Sequence, residues 1–172
     1  MKEYPNVGFL LVSRDREPSL LTKRLKEIDN QLFKAQRIIV CVARPEFVKE
    51  TIEILEASNY KNFNVVQLSE FEGDDIEIID ECIRYNIGYL AVFESDGRIK
   101  KDFLKELNQL VTSNEIVPYV GPYRKGELSG IVIHGPLFTL LHGNKAMRHP
   151  DGTFDNRTFE ERVAEFANKK VV

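Results

Sequence analysis

The chain has 172 residues, with 42% hydrophobic and 30% charged side chains and a formal net charge of −3. That is enough for one soluble domain with a real core, and the acidic balance argues against a nucleic-acid partner held by phosphate neutralisation. Cys41 and Cys82 are too few for a disulfide framework or a cysteine zinc site and fall in apolar patterns, so both are expected in the core.

Met1-Lys2-Glu3-Tyr4-Pro5-Asn6 is polar and no long apolar segment appears anywhere, so a cytoplasmic, reduced protein without a membrane segment is expected. The run Val7-Gly8-Phe9-Leu10-Leu11-Val12 reads as a central parallel strand. A polar loop, Ser13-Arg14-Asp15-Arg16-Glu17-Pro18, closes it, and Ser19 is placed to cap the next helix. Leu21, Leu25, Ile28 and Leu32 recur at helical spacing. Ile38 to Val42 is the second strand, Ala43-Arg44-Pro45 ends it, and Val48, Ile52 and Leu55 mark a second helix.

Asn59 to Asn64 is a loop, Val65 to Leu68 a short third strand, and Glu70 to Asp75 an acidic turn. Ile76, Ile79 and Ile83 give a third helix, and Gly88 to Phe93 a fourth strand. Glu94 and Asp96 stand two residues apart at its end, with Gly97 behind them as a turn signal. Phe103, Leu104, Leu107 and Val111 define a fourth helix. Strands and helices that alternate with short connections predict a parallel sheet covered by helices.

After about residue 115 the rhythm changes. Val117 to Pro122 and Ile131 to Ile133 read as strands, Leu137 to Leu141 as a short helix, His142 to Asn156 as a loop and Thr158 to Lys169 as a last helix. The expectation is a single α/β domain over residues 1–172, in which an α/β first part, 1–114, leads into a mixed part, 115–172.

Ligands of open α/β sheets bind beyond the carboxyl ends of the strands. Glu94 and Asp96 would stand there, and both could reach one divalent cation, since hard cations take carboxylate oxygens. Ser13, Arg14 and Asp15, at the end of the first strand, are candidate nucleotide contacts, with Arg14 suited to phosphate. Arg44 is a further candidate for the same pocket. His134 follows a strand and is expected toward the acceptor side; His134, His142 and His149 match no common zinc spacing.

From Val7 to Arg162 the order of pieces resembles family 2 glycosyltransferases of the GT-A fold. The first strand with Ser13 to Pro18 is similar to that family's opening strand and its Thr-Tyr-Asn-Arg-Pro-type loop. Gly88 to Gly97 resembles the strand that leads to its Asp-x-Asp motif, with Glu94 at the first acid. Tyr119-Val120-Gly121-Pro122 and Ser129 to His134 resemble the strands that follow, and Asp155-Asn156-Arg157-Thr158-Phe159-Glu160-Glu161-Arg162 resembles its Glu-Asp-x-x-Leu-x-x-Arg segment.

The resemblance implies a GT-A-like, Rossmann-like domain with a nucleotide-binding half at 1–114 and an acceptor-side half at 115–172, and a hexosyltransferase. It would move a sugar, by inversion, from a nucleotide-diphosphate donor, a UDP-sugar by expectation, to an acceptor the sequence does not name. It implies Mn²⁺ or Mg²⁺ on Glu94 and Asp96. Asn156 stands where the family has its general base, which leaves Asp155 as the candidate catalytic carboxylate, with Glu160 and Glu161 as substitutes. The second strand ends in Ala43-Arg44-Pro45, with no acid where the family has Asp-Asp-Gly-Ser. A non-catalytic nucleotide-sugar-binding or assembly module of the same fold is therefore the alternative. A nucleotidyltransferase comes last, because Ser13 to Pro18 contains no glycine to cradle a triphosphate. An oligomer is compatible with all three readings.

Overall fold

In a computed structural model of the chain, the first apolar run becomes the strand β1 (Val7–Arg14), whose residues are buried as far as Ser13. The structure describes residues 4–14, 16–67, 75–85, 88–113, 119–120 and 130–134. Along them run α1 (Ser19–Asp29), β2 (Arg37–Val42), a 3-10 turn (Pro45–Phe47), α2 (Val48–Glu56), β3 (Phe63–Gln67), α3 (Asp75–Ile83) and β4 (Tyr89–Glu94). Then come α4 (Phe103–Ser113), β5 (Tyr119–Val120) and β6 (Ile131–His134).

The sheet order is β3-β2-β1-β4-β6-β5. The first four strands run parallel, while β6 runs antiparallel to both β4 and β5. The architecture is the expected α/β one, a mostly parallel sheet with helices on its faces. The chain winds outward from β1 to β2 and β3, then crosses back to put β4 on the other side of β1. The point where strand order reverses therefore lies between β1 and β4.

Alternation along the strands divides the core. Phe9 and Leu11 of β1 join Val40, Ala91 and Phe93 against Leu21, Leu25 and Ile28 of α1, Leu55 of α2 and Leu104 and Leu107 of α4. Leu10 and Val12 face the other way with Ile39, Leu90 and Val92, against Ile78, Ile79, Cys82 and Ile83 of α3. Each such buried aliphatic contributes about 1.5–3 kcal/mol. Both cysteines are buried and free, on the α3 face as expected of core residues. The Cys82 thiol is pushed far up by its hydrogen bond with Cys41 and by burial.

Some expectations at element ends are corrected. Helix α1 stops at Asp29, so Leu32 is off its apolar face and 51% exposed. The chain must there turn back beneath β1, where the Gln36 amide donates to the Val7 carbonyl. Ser19 opens α1 rather than capping it; Pro18 is the N-cap and makes no side-chain cap hydrogen bond. Strand β3 begins two residues earlier than Val65, at Phe63. The expected helices at 137–141 and 158–169 and the loop between them lie outside the described residues.

Candidate functional site

The carboxyl ends of β1 and β4 are built differently from the rest of the sheet. The β1–β2 register shifts between Val12 and Arg14, so Ser13 is an extra residue in the strand. Such a bulge bends the strand and re-aims the side chains beside it. Arg14 adopts a left-handed backbone, φ 52°, at a cost of about 1–3 kcal/mol for a non-glycine residue. Its carbonyl is held at 2.7 Å by the Ala43 amide, and the Ser95 amide donates to Val12 at 2.9 Å. A turn then closes, with the Arg16 amide on the Ser13 carbonyl at 2.9 Å and the Ser13 hydroxyl on the Arg16 carbonyl at 3.2 Å.

The bulge and the turn bring Arg14 and Arg16 to Glu94. Arg14 Nε donates to Glu94 Oε1 at 3.1 Å and to Oε2 at 3.2 Å, and Arg14 Nη2 donates to Oε1 at 2.9 Å. Arg16 Nη1 reaches Oε2 at 3.2 Å. Arg16 Nη2 lies 3.2 Å from Asp96 Oδ2, so one guanidinium spans both acids. The Glu94 side chain is only 8% exposed, against 23% for Arg14, 34% for Arg16 and 53% for Asp96. Glu94 is the buried member, and burying a polar group without such partners is costly.

A second layer holds the segment after β4. The Gly97 amide turns back onto the Glu94 carbonyl at 2.8 Å. Helix α1 and the turn that follows it supply the rest. Arg24 Nη1 donates to the Gly97 carbonyl, and Arg24 lies 3.3 Å from Glu27. Glu27 Oε2 accepts from the Ile99 amide at 2.9 Å. The Gln31 side chain donates to the Lys100 carbonyl at 2.9 Å and accepts from the Leu104 amide at 3.0 Å. That last bond satisfies a donor that the first turn of α4 would otherwise leave open.

No protein-family model matches the sequence, and neither does any curated protein. Solved structures do. The mannosyltransferase PcManGT from Pyrobaculum calidifontis, in complex with GDP-Man and Mn²⁺, superposes with a TM-score of 0.61 at 16% identity, over 83% of this chain and 48% of that one. S. aureus TarS 1-349 in complex with UDP superposes with a TM-score of 0.63 at 12% identity, over 95% and 55%. Its complex with UDP-GlcNAc gives 0.62 at 14%, over 95% and 54%.

The fold is GT-A-like. The chain spans about half the length of the structures it matches. In this GT-A-like frame the cluster sits at the reversal of strand order, where open α/β sheets place their ligands.

Of the candidate residues, Ser13, Arg14, Glu94 and Asp96 come together at this corner. Arg44 is near through its backbone neighbour Ala43, but its side chain turns to the 3-10 turn. It lies 3.8 Å from Glu46 and 5.9 Å from the centre of the Phe47 ring. Asp15 and Asp155 lie outside the described residues. His134 is displaced from its expected place: β6 runs antiparallel, so His134 pairs with Tyr89 at the amino end of β4. Five residues of strand, about 17 Å, separate that position from Glu94. The other end of the same segment is close to the corner, since the Gly130 amide donates to Val92 at 2.9 Å.

Sequence reasoning did not single out Arg16, Arg24, Glu27 or Gln31. One signal was present: Arg24 interrupts the stripe Leu21, Leu25, Ile28 at a position that α1 buries. A cation in an apolar stripe requires a partner.

A divalent cation can be tested against this donor set. Both Glu94 oxygens already accept from guanidinium groups. Asp96 is the open carboxylate, and it faces Arg16. Among the described residues no group of three His, Cys, Asp or Glu side chains is gathered that would hold a metal. The residues as they stand do not fit a cation shared by Glu94 and Asp96, because the arginines take its place.

Proposed function

We propose that this chain binds a nucleoside-diphosphate sugar beyond the carboxyl ends of β1 and β4 and transfers the sugar to an acceptor. The observation that carries the reading is the Arg14–Glu94–Arg16 cluster at the reversal of strand order. A nucleotide-sugar donor is anionic at its diphosphate, and the negative charge on that group grows as the sugar leaves. Preorganised charged donors at that point stabilise the transition state more than the ground state. Guanidinium groups suit phosphate oxygens because their N–H donors form a planar fork. The likeness of fold to structures solved with GDP-Man, UDP and UDP-GlcNAc supports the donor class.

In this reading the Ser13–Arg16 turn contacts the phosphates, and Arg44 would have to leave Glu46 and Phe47 to reach the nucleoside. Membership of glycosyltransferase family 2 and an inverting course are part of the proposal, resting on the motif order. Asp155 is the proposed base that takes the acceptor hydroxyl's proton. A binding module without turnover is the second reading, favoured by Asn156 and by the absence of an acid in Ala43-Arg44-Pro45.

Thermal unfolding with UDP-GlcNAc, GDP-mannose, UDP and GDP, each in Mn²⁺ and in EDTA, tests the reading. A ligand at about a hundred times its Kd stabilises by about 2.7 kcal/mol, a shift of several degrees. No shift with any of the four in either medium overturns it. Binding with no donor turnover or hydrolysis selects the binding module.

A further inference from the structure

The charge that faces the diphosphate has two possible sources at this corner, a bound divalent cation or the arginines. The geometry points to the arginines. We propose that Arg14 and Arg16 are the cationic groups of this site, that Glu94 is their buried anchor, and that a nucleoside diphosphate binds here with no need of a divalent cation. The inference rests on the donor-site reading above and deepens it.

Three observations converge. First, Glu94 is enclosed, and its two oxygens are oriented by four guanidinium contacts from two side chains. A cation entering this carboxylate would have to expel at least one arginine and then sit beside it, with like charges in contact. Second, the backbone is shaped for these contacts. The bulge at Ser13, the left-handed Arg14 and the Ser13–Arg16 turn put both guanidinium groups on the same acid. Strain of this sort persists only where the surroundings over-determine it.

Third, one of the guanidinium contacts is exchangeable. Asp96 meets Arg16 through a single nitrogen and is half exposed, so that contact is weak. An incoming phosphate can displace Asp96 from Arg16 Nη2 and form a charge-assisted hydrogen bond in its place. Glu94 acts here as a positioning residue, since it touches the arginines and not the ligand. Asp96 becomes the group the phosphate competes with.

The test is calorimetric titration of the full chain with UDP and with GDP, in EDTA and in Mn²⁺, together with Arg16→Ala and Asp96→Asn. Both substitutions are at partly exposed side chains and spare the core. The expected result is an affinity that agrees within about twofold between the two media, falls about tenfold or more in Arg16→Ala, and is unchanged or tighter in Asp96→Asn. A shared-cation site predicts opposite signs: binding only with Mn²⁺, lost in Asp96→Asn and retained or improved in Arg16→Ala. That outcome overturns the inference and leaves the donor-site reading standing. No binding of either nucleotide in either medium overturns both.

Discussion

The two ends of the same pair of strands solve different problems. At the amino ends of β1 and β4 the chain closes with backbone. The Tyr89 amide donates to the Asn6 carbonyl at 2.9 Å and the Gln36 amide to Val7 at 2.9 Å. Gly88 takes φ 120°, and a Cβ there would stand 2.7 Å from the Asn6 carbonyl oxygen. The Tyr89 ring meets His134 edge-on at 5.1 Å. At the carboxyl ends, about 17 Å away, the strain falls on an arginine rather than a glycine, and side-chain charge is added to the backbone closure. One end is built to be shut. The other carries charge that a small anion can reach.

This contrast can be broken at either end. The largest effect is expected from Gly88→Ala. Its methyl would clash with Asn6 in a backbone region that alanine avoids, so stability should fall by about 3 kcal/mol in urea unfolding. Nucleotide affinity of the folded fraction should not change. Glu94→Gln should cost about 2 kcal/mol, because it leaves two partly buried cations facing a neutral amide. Here nucleotide affinity should fall as well, since the arginines lose their anchor. Equal loss of affinity in both variants would erase the distinction between the two ends.

Arg24→Met keeps the apolar stem but removes the bond to the Gly97 carbonyl and the contact with Glu27. About 1 kcal/mol of stability should be lost, and nucleotide affinity should be unchanged or tighter, because the loosened segment carries Asp96, the competitor of the phosphate. The smallest effect concerns pH. Burial holds His134 below the usual imidazole range. Its unfolded form therefore takes up a proton first as pH falls below about 6.5. The neutral folded form is favoured above that pH, and this contribution declines as pH falls toward the depressed folded value. In His134→Phe the slope of stability between pH 7 and pH 5.5 should be shallower than in the wild type, while nucleotide binding keeps its own pH profile.

Much of the frame was legible because burial writes a period into the chain. Phe9 and Leu11 face one layer and Leu10 and Val12 the other, as the unbroken run of β1 suggested. The position of Glu94 at a strand end followed from the apolar run that precedes it. What could not be read is long-range pairing: Arg14 and Glu94 are 80 residues apart, and no local pattern marks them as partners. Strand direction was equally hidden. Ile131-Val132-Ile133 has no polarity as a pattern, so His134 was expected near the site and stands at the other end of β4. Leu32 kept helical spacing past the point where Gln31 leaves α1 to bind Lys100 and Leu104.

The central claim is that a nucleoside diphosphate meets Arg14 and Arg16 at the carboxyl ends of β1 and β4. It is tested most directly by following the arginine Nε–H resonances in nitrogen-15 spectra while UDP is added, with Arg14→Lys and Arg16→Lys to assign them. The account predicts that these two signals shift and saturate together with binding, while the amides of Tyr89 and His134 stay still. Saturable binding that leaves both signals unmoved would contradict it.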